Sequence, residues 1–322
     1  MNKLIRTGII YIVPTILILF FMENHLLLVQ NSYNKKKRLL ENELSKIKVL
    51  VLGSSLPANG IDPSYFAVNG FNLANISQSL YYDYELISKY ISGMPDLKLV
   101  IIGIDYFSLE YKLDENPEYW RSFFYERFFQ IPLKSKKHRF DICRFSLIEL
   151  YGGKRSLECA MKHFKVDLAP DVKDNGAQLP QNGKCSKDKI RGRVLFHHGI
   201  MHVKNIEKNM LYLNKMMQLL QSKSVIPVIV TSPLPREYSD CIDKTRYNKM
   251  QENVHSICVK YGAKYHNYMF DDRFISEDFA DDHLSNIGSK KFSKIVNQEI
   301  IAPEMDQIND QKYSEKINTK NP

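Results

Sequence analysis

The chain has 322 residues, 44% of them apolar, and a formal net charge of +9. It is long enough to bury a substantial core and short for more than about two domains. Residues 1–50 hold eight Lys/Arg against three acids, +5 of the total, so the remaining chain carries only +4. The basic excess sits beside an N-terminal apolar segment with no basic and aromatic interleaving, which argues against nucleic-acid binding.

That segment, GIIYIVPTILILFFM at 8–22, is free of charge and follows Lys3 and Arg6. No small-residue cleavage site follows Met22, so an uncleaved membrane anchor over residues 1–30 is expected in place of a signal peptide. Orientation stays open at this point, because KKKR at 35–38 competes with Lys3 and Arg6. Residues 31–46, Lys/Glu-rich with leucines at 39, 40 and 44, suit a helical stalk.

The body, 47–302, alternates two patterns. Apolar runs predict strands at 47–53, 70–74, 98–104, 225–231 and 264–268; helical periodicity covers 79–92, 204–222, 244–261 and 287–299. This alternation predicts an α/β fold, a three-layer α/β/α flavodoxin-like parallel sheet. Residues 107–200 break the rhythm with YWRSFFYERFF, KSKKHRF and a Pro/Gly/Asn-rich loop at 169–184, and form an insertion. It has three readings: a lid or substrate wall, a membrane-surface patch, or packing alone. The polar tail, 303–322, is expected to be disordered.

Five cysteines (143, 159, 185, 241, 258) lack paired metal-ligand spacing, so no structural zinc is expected. Cys159 and Cys185 either pair in an oxidising compartment or remain free thiols. His198 and His202, four apart in FHHGIMH, have no accompanying acid for a zincin-like site. His197 and His198 are instead candidate substrate contacts, and Trp120 with Arg121 a candidate sugar contact. No Gly-rich phosphate loop follows a strand, and no cofactor is expected.

In an open parallel sheet the loops after the strands converge, however distant in sequence. The strand ends here deliver Ser54 and Ser55, then Asn75 and Ser77, then Asp105, then Thr231 and Ser232; His283 arrives in ADDHLSNIG just before the last body helix. A serine needs a base to become nucleophilic and donors for the developing oxyanion. Ser54 or Ser55 supplies the hydroxyl, His283 the base, and Asp281 or Asp282 the group that holds its second nitrogen.

This order resembles the SGNH/GDSL hydrolase superfamily over roughly 47–106 and 225–300. Its first motif, Gly-Asp-Ser, appears as Gly53-Ser54-Ser55, which maps the nucleophile onto Ser55. Its last, Asp-x-x-His, appears as DDHLSNIG and gives His283 as base. Three departures stand out. Ala280 occupies the usual acid position, so Asp281 is taken as the triad acid with Asp282 as the alternative. Ser77 replaces the second-motif glycine, keeping a backbone donor. Asp105 stands where the third-motif asparagine belongs, and an ionised carboxylate cannot donate to an oxyanion.

The Gly-Ser-Ser form behind an anchor is similar to the membrane-anchored branch that includes DltD-like and AlgJ/AlgX-like proteins. That resemblance implies a single-pass protein with an extracytoplasmic domain, a cell-surface glycan substrate and a membrane-bound O-acyltransferase partner. The expected activity is serine acyl transfer, by an O-acyltransferase or an esterase, through Ser55, His283 and Asp281, with Ser77, Asp105, Asp282 and His198 around oxyanion and substrate. The competing expectations are an inactive glycan-binding or assembly subunit of the same fold and a lipid-directed esterase.

Overall fold

The computed structural model describes residues 3–179 and 186–318, with side chains for 8–179 and 186–310. Five strands, β1 (Val49–Leu52), β2 (Gly70–Asn72), β3 (Leu99–Gly103), β4 (Ile226–Thr231) and β5 (Lys264–Asn267), form one sheet in the order β2-β1-β3-β4-β5. Every neighbouring pair is parallel. This is the expected α/β fold, and its strand order reverses direction between β1 and β3.

β1 and β3 are apolar at every position because both faces are covered. Leu50, Leu52, Val100, Ile102 and Ile229 meet Leu86, Leu213, Met217 and Val254 on one side. Val49, Val51, Leu99, Ile101 and Val228 meet Phe292, Val296 and Ile301 on the other. Alternate residues of each strand thus enter different cores, so two-sided burial reads as one continuous hydrophobic run. The covering helices are Leu80–Tyr90, Ile206–Ser222, Lys244–Tyr261 and Asn286–Val296; the first three lie within the predicted segments and the last begins one residue before its own.

Gly53 ends β1 with φ +130°, and a Cβ there would lie 2.7 Å from Pro57 Cγ and 3.1 Å from Gly103 backbone atoms. Glycine is required on both counts, by conformation and by close approach. Pro57 fills the crevice between Gly53 and Gly103, which seats the short helix Ser55–Gly60 over the β1–β3 switch point.

Two expectations about the flanks need correction. The segment taken as a stalk is helical (Ser32–Glu43), but it packs into the domain: Tyr33, Lys36 and Leu40 are buried. Tyr33 stacks on Phe124 at 4.9 Å and meets Tyr125 edge-on at 5.0 Å. The aromatic spacing that marked the insertion therefore also marks the stalk's binding surface. The tail, expected to be disordered from 303, is a helix over Ala302–Asn318; Met305 is buried against the second core and Glu304 pairs with Lys264. Cys185, the candidate partner of Cys159, lies outside the described residues; among the described residues, Cys143, Cys159, Cys241 and Cys258 form no disulfide with one another.

The insertion divides by location. Phe123, Tyr125 and Phe129 are core. The loop around 172–178 lies along the edge of β2, where Asn72 N–H donates to Asn175 O at 2.8 Å and covers an otherwise open strand edge. The helix Lys187–Ile200 reaches the strand ends and forms a wall of the cavity there. The segments around Ile142–Phe145, Leu147–Tyr151 and Gly153–Met161 gather beside the N-terminal helix Lys3–Leu26.

Candidate active site

Ser55 is the first residue of the helix after β1, so its backbone N–H belongs to the first turn, which has no acceptor within the helix. Its Oγ lies 2.8 Å from His283 Nε2. On the other side of the ring, Nδ1 is 3.0 Å from Asp281 Oδ1 and 3.0 Å from Asp282 Oδ1. Asp281 Oδ1 also accepts the His283 backbone N–H at 2.8 Å, which fixes the loop that carries the ring. A hydroxyl, an imidazole and carboxylates are thus joined in line, the arrangement in which a base can take a serine proton and be held in the useful tautomer.

The two carboxylates differ in setting. Asp281 is 45% exposed, whereas Asp282 is fully buried. Arg193, from the helix Lys187–Ile200, donates through Nε to both Asp282 oxygens at 3.0 and 2.9 Å. Burial opposes the Asp282 charge, but His283 and Arg193 outweigh it and hold the carboxyl well below the usual range. For His283, burial again disfavours the charge, and the hydrogen bonds and charges of Asp281 and Asp282 overcome it, raising the ring to about 9. Asp281, Asp282 and His283 also place three potential metal-ligating atoms within 4.8 Å of one another. The Arg193 cation already engages both oxygens of Asp282, so this cluster suits an oriented imidazole better than a divalent ion.

Behind Arg193 stands a second histidine. His197 Nε2 lies 3.3 Å from an Arg193 amino nitrogen, and its Nδ1 contacts the buried Tyr238 hydroxyl. Burial pushes its pKa down to about 3, so the ring is neutral and accepts from Arg193. Arg193 and Tyr238 were not among the residues expected from the sequence, whereas His197 was expected as a substrate contact and lines the cavity. The signal for Arg193 was its spacing from His197, four apart on one helical face.

Ser77 lines the same cavity as Ser55 and His283. It has φ +59°, unusual for a residue with a side chain, and its hydroxyl donates to Glu118. Its carbonyl accepts from Tyr111 OH at 3.1 Å. Beneath this loop, Gln78 Nε2 donates to buried Asp83 at 2.6 Å and Tyr125 OH donates to Gln78 Oε1 at 2.7 Å. These bonds hold the Asn75–Ser77 turn beside Ser55, and the Ser55 and Ser77 amides lie on loops that meet at one cavity.

Two expected contacts are corrected. Asp105 does not line the cavity: it is fully buried behind the site, accepting from Ser54 Oγ and from Ser232 N–H, each at 3.1 Å. Its carboxylate binds two strand-end loops together and needs no role at an oxyanion. His198 does not line the cavity either; its Nε2 meets Tyr106 OH at 3.1 Å, and His197 faces the site instead. One residue on a helix turns a side chain by about 100°, enough to exchange the two rings. His202 lies past the end of that helix at Ile200, so the i, i+4 pairing with His198 is not a helical one.

Burial pushes Asp105 up to about 6 despite the opposing Ser232 and Ser54 hydrogen bonds. A buried carboxyl whose folded pKa is raised destabilises the fold at pH values above it, and the cost fades as pH falls towards the unfolded value near 4. Asn can accept from Ser232 and donate to Ser54, so Asp105→Asn is expected to keep activity and to raise Tm at pH 8, with the gain disappearing near pH 4. Thermal melts at both values check this; a lower Tm at pH 8 would show that the charge itself is needed.

The cavity has a volume of about 310 Å³. Asn59, Glu118 and Asp171 give it hydrogen-bonding edges, and Phe107, Phe196 and Leu179 give it apolar faces.

No protein-family model matches the chain, and no curated protein matches it. Among solved structures, it is similar to a candidate acylhydrolase from Bacteroides fragilis NCTC 9343, with 10% identity, a TM-score of 0.41, and coverage of 85% of this chain and 99% of the other. A GDSL-like lipase from Bacteroides thetaiotaomicron VPI-5482 shows 10% identity, a TM-score of 0.39 and the same coverage.

Proposed function

We propose that the chain is a membrane-anchored serine acyl-transfer enzyme of the SGNH/GDSL kind, acting on acyl groups of a cell-surface polysaccharide. The observation that carries this reading is the 2.8 Å contact between Ser55 Oγ and His283 Nε2, with Asp281 and Asp282 behind the ring. Ser55 attacks the acyl carbonyl and His283 takes its proton. The oxyanion meets the Ser55 and Ser77 amides, His283 returns the proton to the departing alcohol, and an acyl-serine remains. A hydroxyl of an acceptor sugar, or water, then releases the acyl group by the reverse sequence.

A sugar ring has polar edges and apolar faces, and the cavity offers a partner for each. The helix over Gly8–Leu26 is long and apolar enough to cross a bilayer, which supports a single-pass anchor. Placement outside the cytoplasm and a membrane-bound O-acyltransferase as acyl supplier follow from the resemblance in the sequence.

With Asp105 behind the site, the missing third-motif asparagine leaves two backbone amides to stabilise the oxyanion. Slow hydrolysis is the consequence, and an enzyme that passes its acyl group to a sugar benefits from it. The test is turnover of a chromogenic acetate ester by the full chain in detergent, with mass spectrometry of the intact protein. A serine-linked acetyl adduct whose decay accelerates on adding an oligosaccharide acceptor supports transfer; decay indifferent to any acceptor favours an esterase. Absence of both adduct and turnover, with a membrane acyltransferase supplied, would leave a glycan-binding subunit.

A further inference from the structure

The spanning segment Gly8–Leu26 includes a charged residue, Glu23, so its charge-free part is shorter than a bilayer core. The charge-free stretch from Thr7 to Met22 is 16 residues, about 24 Å of helix at 1.5 Å per residue, against a hydrocarbon core of about 30 Å. The next residue, Glu23, is held by the domain: its carboxylate accepts from Ser146 Oγ and from the backbone N–H groups of Leu147 at 2.8 Å and Ile148 at 3.3 Å. It therefore caps the helix Leu147–Tyr151, a favourable place for a negative charge. Leu26 and Val29 are buried, and the rings of Phe21 and His25 pack on Phe164 at 6.1 and 5.1 Å. The helix is thus fixed to the insertion, and its charge-free part ends where Ser146, Leu147 and Ile148 hold Glu23.

The segments flanking that contact are unusually apolar for a surface. Phe140 is 84% exposed, and Ile142, Phe145, Leu157 and Met161 are each more than half exposed. Leu28, just past the end of the spanning segment, is also exposed. Long cations accompany these side chains. The Arg139 guanidinium lies 5.4 Å from the Phe140 ring and that of Arg144 5.4 Å from the Phe145 ring, with Lys154, Arg155 and Lys162 exposed nearby in sequence. Arg144 is held by Glu126 through two hydrogen bonds, but Arg139, Lys154, Arg155 and Lys162 are exposed, and large apolar groups beside such basic side chains are the composition of a surface lying in the headgroup region of an anionic bilayer.

We infer that the face carrying Phe140, Ile142, Phe145, Leu157 and Met161 is seated in the lipid interface, completing the short anchor and fixing the height and tilt of the catalytic cavity above the membrane. The inference rests on the anchor reading above. A face in contact with a second protein would have no need to match the anchor's missing length, nor to surround its point of exit.

The test uses the full chain reconstituted in phosphatidylcholine vesicles with and without phosphatidylglycerol. A photoreactive benzoylphenylalanine is placed singly at Phe20, Phe140, Leu157 or Val259, the last being an exposed control on the helix Lys244–Tyr261. Lipid adducts at Phe140 and Leu157, at least about fivefold above Val259 and rising further with the anionic lipid, are expected. Adducts at Phe20 alone would overturn the inference while leaving the anchor in place. Adducts at none of the sites would overturn both. Protein-to-protein cross-links at Phe140 would assign the face to a partner and equally overturn the inference.

Discussion

Ser55→Ala is expected to abolish the acyl adduct and to lower ester turnover by at least about 10³-fold, and Ser54→Ala to leave adduct formation in place. The two hydroxyls are adjacent in sequence and engaged in opposite directions. Ser55 Oγ faces His283 Nε2 at 2.8 Å; Ser54 Oγ donates to buried Asp105 at 3.1 Å. Only the first is within reach of the imidazole. Removing the second frees one carboxylate oxygen behind the site, with Ser232 N–H still bound to the other, so its effect is on stability, at about 1–3 kcal/mol for a lost buried partner. Intact mass after brief exposure to the ester separates the variants, and circular dichroism confirms that both fold. Equal loss of the adduct in both would mean that the strand-end turn, and not one hydroxyl, had been disrupted.

This pair shows what could be read from the chain before its structure. Strand ends converge in a parallel sheet, so Ser55, Ser77 and His283 could be placed at one edge from apolar runs alone, and they are there. Periodicity also located the five strands and the covering helices, because two-sided burial imposes a pattern on sequence. What it could not supply was the direction in which a polar side chain points from a loop. Asp105 follows β3 as expected and still turns inward to Ser54 and Ser232. Of the two adjacent histidines only His197 lines the cavity, and His198 turns to Tyr106, because of a rotation about a helix axis that composition does not record. The stalk and tail were misjudged because their charged residues outnumber the few that matter: Tyr33, Lys36 and Leu40 on one, Glu304 and Met305 on the other. Lys36 is the extreme case, a lysine in a basic run that is fully buried with its ammonium on Ala74 O, lowered to about 7 by burial. Arg193 lay in the insertion, where no strand-end rule applied.

Replacing Asp282 should reveal how the base is tuned. Its charge and that of Asp281 together hold His283 at about 9 against the opposing effect of burial, so at neutral pH the resting ring is largely protonated and cannot accept the Ser55 proton. A raised pKa places the competent, neutral form above that value. Wild-type acylation is therefore expected to rise with pH and level off above about 9. In Asp282→Asn the remaining carboxylate is the half-exposed Asp281, whose charge is partly screened by solvent. The titration should move to lower pH, while the plateau rate falls by about 10²–10⁴-fold because the ring loses its buried orienting partner. Asp281→Asn should shift the limb less and cost under about 10-fold in rate, since Arg193 continues to hold Asp282 against Nδ1. The pH profiles of acylation for the three proteins carry the argument. A limb that stays near 9 in Asp282→Asn would mean that His283 is not the titrating base. If instead Asp281→Asn caused the larger loss, the exposed carboxylate would be the orienting acid, and the Arg193–Asp282 pair would serve the fold.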